Sequence, residues 1–180
     1  DLPSLSAHMV FTGAPGTAKT TVARLIGRIL KENGLLKVGE FHEVGRADII
    51  ERYVGWTAKN VKNIFKKAQG SVLFIDEAYS IFDNYNNANF TEEAIATMVA
   101  EMENMREDVL VIFAGYPKEM QMFLDSNPGL ASRIGFTIDF KNYSNEELYQ
   151  IAQKIANDYG FKLSKDASTK LKDHIFHISR

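Results

Sequence analysis

The spacing of apolar residues along this chain alternates between two patterns. Continuous apolar runs at His8 to Thr12, Val72 to Ile75 and Val109 to Ala114 predict short strands, the last two in the manner of strands buried on both faces. Phe41 to Gly45 and Phe136 to Phe140 are weaker strand candidates. Between the runs, apolar positions recur at helical spacing. Val61, Ile64, Phe65 and Ala68 share one face of a segment that Thr57 would cap and Gly70 would end. Helices are also expected from Thr20 to Asn33, stopped at Gly34, from Thr91 to about Met105, and from Pro117 to Ser126. Arg46 to Trp56 is mixed, with Gly55 marking a loop; Asn84 to Asn89 reads as a loop and Asn127-Pro128-Gly129 as a turn. Strands separated by helices imply a parallel sheet covered on both sides.

After Lys141 the alternation stops. Ser144 would cap a helix to Tyr159, Gly160 would break it, and Lys165 onward is helical again with no strand between. The expected division is therefore an α/β core over 1–141 and, over 142–180, the start of a small helical lid domain cut short. Composition adds mainly exclusions. The 180 residues are 45% hydrophobic and 24% charged, which is a globular balance rather than a disordered one. No apolar run approaches the roughly 20 residues that cross a bilayer, and no basic-then-apolar leader opens the chain, so no membrane partner is expected. With Cys 0 there are no disulfides or thiolate metal sites, which fits a reducing, cytoplasmic setting. A net charge of -2 argues against nucleic acid held through its phosphates.

Order carries the chemistry. Gly13-Ala14-Pro15-Gly16-Thr17-Ala18-Lys19-Thr20 follows a predicted strand and opens a predicted helix, the setting of a Walker A phosphate loop. Backbone N–H groups and the helix N-terminus there present positive charge to phosphate oxygens. Lys19 would reach the β- and γ-phosphates of ATP and the Thr20 hydroxyl would ligate Mg²⁺, with Thr21 beside them. Ala18 departs from the strict pattern, which has Gly; if that position needs a positive φ, the methyl group costs about 1 kcal/mol. The bland alternative is a structural Gly-rich turn followed by a chance Lys-Thr.

The second element is Val72-Leu73-Phe74-Ile75-Asp76-Glu77, an apolar strand ending in two carboxylates. At the C-terminal end of a parallel strand, Asp76 would hold the Mg²⁺ shell and Glu77 would orient the attacking water. Two solvated acids closing a strand are the bland alternative.

Together these elements, with helices after the sheet, resemble the AAA+ ATPases. Within them His8 to Gly13, Tyr53 to Ala58, Val72 to Tyr79, Phe113 to Tyr116 and Asn127 to Arg133 are similar to the CbbX/stage V sporulation protein K group. The resemblance implies a P-loop NTPase fold, with a sheet ordered 5-1-4-3-2 flanked by helices, and a homo-hexameric ring with ATP between subunits. It implies that Arg133 is an arginine finger acting in trans on the neighbour's γ-phosphate. Tyr116 falls where many AAA+ proteins place a polar sensor residue, often Asn; a packing Tyr is the alternative. Tyr53-Val54-Gly55 matches the aromatic-hydrophobic-Gly pore loop with which translocases grip a polypeptide, the alternative being an aromatic folded onto the core.

The leading expectation is an ATP-hydrolysing, chaperone-like remodeller working on a protein substrate of unknown identity. Its rivals are a nucleic-acid motor or loader on the same fold, and an ATP-binding scaffold with little turnover. His174 and His177 lack a third metal ligand nearby. Phe161, Leu163, Met98, Met102 and Met105 fit packing, and Lys59, Lys62, Lys66 and Lys67 fit a solvated helix face.

Overall fold

The computed structural model describes residues 8–50, 56–82, 88–140 and 144–178. Five strands form one sheet: β1 (His8–Thr12), β2 (Phe41–Val44), β3 (Val72–Ile75), β4 (Leu110–Gly115) and β5 (Ile134–Asp139). All pair in parallel, in the order β2-β3-β4-β1-β5, which is the expected 5-1-4-3-2 order counted from the other edge. The connections contain α1 (Lys19–Glu32), α2 (Arg46–Ile49), α3 (Trp56–Lys67), α4 (Ala88–Asn104), α5 (Pro117–Asp125) and α6 (Pro128–Ala131), with a 3-10 turn over Ala78–Phe82. Two helices, α7 (Asn145–Asp158) and α8 (Lys165–Ile178), follow the sheet.

The alternation of side chains along each central strand feeds two cores. Met9, Phe11, Val72, Phe74, Leu110 and Ile112 point to one face and pack with Val22, Leu25, Ile26 and Leu30 of α1. Val10, Leu73, Ile75, Val111 and Phe113 point to the other and meet Val61 and Phe65 of α3 and Ile95, Met98 and Met102 of α4. Each of these strands is buried along its whole length, with polar residues only at the two ends of β1, His8 and Thr12. Leu148, Tyr149, Ala152 and Ile155 of α7, Tyr159 just after it, and Leu171 and Ile175 of α8 join the first core, and the Tyr159 ring lies 5.7 Å from that of Phe136. Ser144 caps α7 as expected: Glu147 N–H donates to its hydroxyl at 3.3 Å while Ser144 N–H donates to the Glu147 carboxylate at 2.7 Å. The Ser144 N–H, together with the Ser144 hydroxyl donating to the same carboxylate at 2.8 Å, holds the Glu147 carboxyl below its ordinary pKa.

Three boundaries differ from expectation. Thr57 is fully buried as the second residue of α3 and is not its cap. Helix α4 starts at Ala88, ahead of the expected Thr91, whose buried hydroxyl donates to Ile81 O at 3.1 Å. The expected Asn84–Asn89 loop therefore ends early, and 84–87 lie outside the described residues. Strand β5 begins at Ile134, two residues early, because it pairs with β1 from His8 onward. The Lys59, Lys62, Lys66 and Lys67 side chains are exposed, and Met98 and Met102 are buried, as packing and solvation predict.

Candidate functional site

The phosphate loop runs from the C-terminal end of β1 to the first turn of α1, and its backbone does what only certain residues permit. Gly13 has φ +151°, and a Cβ there would stand 2.4 Å from Phe140 O, so a side chain is excluded by contact as well as by conformation. Its N–H donates to Gly115 O at 3.0 Å, tying the loop to the end of β4. Gly16 turns the chain at φ +77°. Ala18 sits at φ 64°, ψ 13°, the left-handed region, immediately before α1 and without a side-chain cap. Both the strained backbone and the missing cap favour glycine at this position. Ala18→Gly is expected to stabilise the fold by about 1 kcal/mol, read as a shift in the denaturation midpoint; a decrease in stability would remove the strain.

Lys19 is buried, and its Nζ donates to Gly13 O at 2.9 Å and to Ala14 O at 2.7 Å, with the Thr17 hydroxyl at 3.4 Å. Thr17 also donates to Ala14 O at 2.7 Å. The ammonium is thus folded into the loop's own carbonyl cradle, in the space over which phosphate oxygens would compete for it. Burial pushes the Lys19 pKa down, and the Asp76 carboxylate opposes that shift. In the parallel order β3-β4-β1 the loop after β1 and Asp76 after β3 leave the same edge of the sheet. Thr20 and Thr21 follow on the first turn of α1, both half-buried.

Asp76 leaves the end of β3, its N–H donating to Val44 O at 3.3 Å. One of its carboxylate oxygens accepts the Glu77 N–H at 3.0 Å. Glu77 is exposed and holds φ 47°, the only described non-glycine besides Ala18 with positive φ. Its carbonyl accepts Ser80 N–H at 2.7 Å and so starts the 3-10 turn. The left-handed residue breaks the strand's course and turns the chain at the crevice outside the strand ends, where ligands bind in open α/β sheets. Tyr116 caps α5 at the end of β4, exposed, its ring 6.3 Å from that of Tyr79. Tyr79 was not singled out from the sequence. It packs over Gly115, where a Cβ would meet its ring at 2.7 Å, and its phenol pKa is raised, first by burial and then by Glu77. Its place in the Asp-Glu-Ala-Tyr run was the available signal.

A cation suits this donor set. Thr20 and Asp76 offer hard oxygens of the kind Mg²⁺ takes when phosphates and water complete its shell. Among the described residues no group of three or more His, Cys, Asp or Glu forms a closed metal site, so such an ion would be held jointly with a phosphate ligand.

The sheet brings the phosphate loop, Asp76, Glu77 and Tyr116 to its C-terminal edge. It does not bring Arg133 there. Arg133 precedes β5, and His8 N–H donates to its carbonyl at 3.1 Å, so it lies at the N-terminal edge, a strand's length from Lys19 of the same chain, roughly 15 Å at strand rise. Tyr53, Val54 and Gly55 lie outside the described residues.

Comparison with known proteins agrees with this geometry. The family described as ATPase family associated with various cellular activities (AAA) matches residues 9–142. Stage V sporulation protein K of Bacillus subtilis (strain 168) is 44% identical over 95% of this chain and 53% of its own length. Protein CfxQ of Xanthobacter flavus is 44% identical over 93% of this chain and 53% of its own length, and Protein CbbX of Cereibacter sphaeroides is 43% identical over 93% and 54%. The chain spans about half the length of these relatives. The FIGL-1 AAA domain, solved in complex with ADP, shares the fold at TM-score 0.54 and 20% identity, over 85% of this chain and 49% of that one. With a Gly-rich strand-to-helix loop and an acidic strand end at one edge of a 5-1-4-3-2 sheet, the chain belongs to the AAA family of ATPases and is similar to CbbX and stage V sporulation protein K.

Proposed function

We propose that this chain is the ATP-hydrolysing module of a homo-hexameric remodeller that acts on a protein substrate, with residues 1–141 as the nucleotide core and 142–180 opening a helical lid. The observation that carries the reading is the split of its catalytic groups. Lys19, Asp76 and Glu77 share the C-terminal edge of the sheet and Arg133 occupies the opposite one, so Arg133 reaches an ATP phosphate only from a neighbouring copy.

In this mechanism ATP phosphates take the N–H groups of Gly16 to Lys19, while the Gly13 N–H stays with Gly115 O, and displace the Lys19 ammonium from the Gly13 and Ala14 carbonyls. Thr20 and Asp76 would hold Mg²⁺, which would neutralise phosphate charge. The Glu77 carboxylate orients a water and takes its proton as the water oxygen bonds the γ-phosphorus and the bond to the β-phosphate oxygen breaks. Arg133 of the neighbouring subunit balances the charge that develops, a contribution of about 10³–10⁵ in other NTPases. Tyr116 and Tyr79, at the end of β4 and beside Glu77, line the γ-phosphate side.

The protein substrate is supported by the sequence run Tyr53-Val54-Gly55, an aromatic-hydrophobic-Gly motif whose aromatic would grip by area rather than by a hydrogen-bond code. Tyr53→Ala is expected to leave ATP hydrolysis within about twofold while abolishing work on a polypeptide, measured as nucleotide-dependent unfolding of a tagged reporter. Persistence of both activities removes the pore-loop role. Turnover stimulated by DNA in a salt-dependent way would favour the nucleic-acid motor instead.

A further inference from the structure

Arg133 is not an idle side chain awaiting a neighbour. One terminal nitrogen, Nη1, donates to Gly129 O at 2.8 Å and lies 3.4 Å from the Ser132 hydroxyl. The other, Nη2, pairs with the Glu103 carboxylate at 3.4 Å. Its Nε is buried with no hydrogen-bond partner among the described residues. A guanidinium with a buried, unpaired N–H holds a position that its own chain satisfies incompletely, and an incoming anion offers it more than Glu103 does.

The backbones on both sides of this pair are fixed by one residue. His8 is buried, and its Nδ1 accepts Val111 N–H at 3.0 Å, so its proton is on Nε2, which donates to Met102 O at 3.2 Å. Its own N–H donates to Arg133 O at 3.1 Å. Met102 precedes Glu103 at the end of α4. Burial, and then the Arg133 cation, hold the His8 pKa low against the opposing pull of Met102 O and Glu103, which keeps the imidazole neutral beneath the pair. Above these fixed backbones both charged side chains reach solvent, Arg133 26% exposed and Glu103 51% exposed. Glu103 has a second cation at hand, Arg106, at 3.4 Å on the following turn. When Arg133 leaves, the Glu103 carboxylate keeps a partner.

We propose that Glu103 is a latch that stores the Arg133 guanidinium within its own subunit, and that docking of a neighbour's ATP exchanges this contact for the γ-phosphate. The proposal rests on the trans role given to Arg133 above. In it Glu103 is a restraining residue that touches no substrate. It keeps unassembled subunits from presenting a bare cation, and assembly must overcome it at every interface. An exposed ion pair of this kind carries a factor of about five at most.

The test is the dependence of ATP turnover on protein concentration in the full-length protein, with nucleotide affinity of dilute subunits measured beside it. Glu103→Gln is expected to lower the half-saturating protein concentration by about two- to fivefold and to leave dilute-subunit ATP affinity unchanged. A half-saturating concentration that stays put or rises, while Arg133→Ala removes turnover but not ATP binding, overturns the latch and leaves the trans finger standing. Normal turnover in Arg133→Ala overturns the finger and the latch with it. A stability double-mutant cycle between Glu103→Gln and Arg133→Met, run on the full-length protein, gives a nonzero coupling if the pair forms and overturns the latch at zero.

Discussion

Glu77→Gln is expected to slow ATP hydrolysis by about 10²–10⁴-fold, the span a positioned general base contributes, while ATP stays bound. The substitution is nearly isosteric and keeps the acceptor oxygen that orients a water, but it removes the proton acceptor. Neither the fold nor the nucleotide cradle depends on the carboxylate. Glu77 is exposed, and the contacts that turn the chain here, its N–H to Asp76 and its carbonyl to Ser80 N–H, are made by its backbone. Asp76 is a poor substitute because one of its oxygens already accepts the Glu77 N–H. Phosphate release measured alongside retained ATP on the isolated protein separates the outcomes. Turnover at the original rate would remove Glu77 from catalysis, and loss of ATP binding would make it a structural residue of the cradle. A trapped ATP should also favour oligomers, since it is the ligand Arg133 of a neighbour would seek.

Much of this site could be read from residue order because its chemistry is local. Strand, glycine loop and helix are contiguous from His8 to Glu32, and the apolar strand hands directly to Asp76-Glu77, so both halves of the site carry their own context. The strands β1, β3 and β4 were readable for a related reason: burial on both faces leaves uninterrupted apolar runs. The order of the strands was not readable from periodicity, and came from resemblance to a family. Local chemistry misled where a side chain is committed to a distant partner. Thr57 is a good helix cap by composition but is fully buried as the second residue of α3, and the helix expected from Thr91 starts at Ala88, with the Thr91 hydroxyl donating to Ile81 O. Ala18 shows the reverse. The departure from glycine was visible, and only the backbone at φ 64° turned it into strain. The Arg133–Glu103 contact joins α4 to the turn before β5 and has no signature in either segment, since each alone is an ordinary solvated charge.

Lys19→Ala is expected to weaken ATP binding by about two orders of magnitude, the upper range for a charge-assisted hydrogen bond to phosphate. The expectation has a reason beyond the lost charge. The ammonium is already desolvated and lies against Gly13 O and Ala14 O, so when phosphate arrives it moves from carbonyl dipoles to full anionic charge without first shedding water. That preorganisation favours phosphate over other anions of equal charge that do not fill the loop. The effect on folding should be much smaller. The Ala14 carbonyl keeps the Thr17 hydroxyl as a donor, and the glycine-dependent turns at Gly13 and Gly16 do not involve the side chain. Lys19→Arg provides the decisive comparison, because it keeps the charge and changes the shape. The bulkier guanidinium has to enter a cradle that closes around a single nitrogen, so it should rescue little of the affinity. Titration of a fluorescent ATP analogue, with thermal unfolding of the same samples, reads both quantities. Unchanged affinity in Lys19→Ala would remove the Walker A assignment, whereas a collapse of the melting temperature would mean that Lys19 holds the loop rather than the nucleotide.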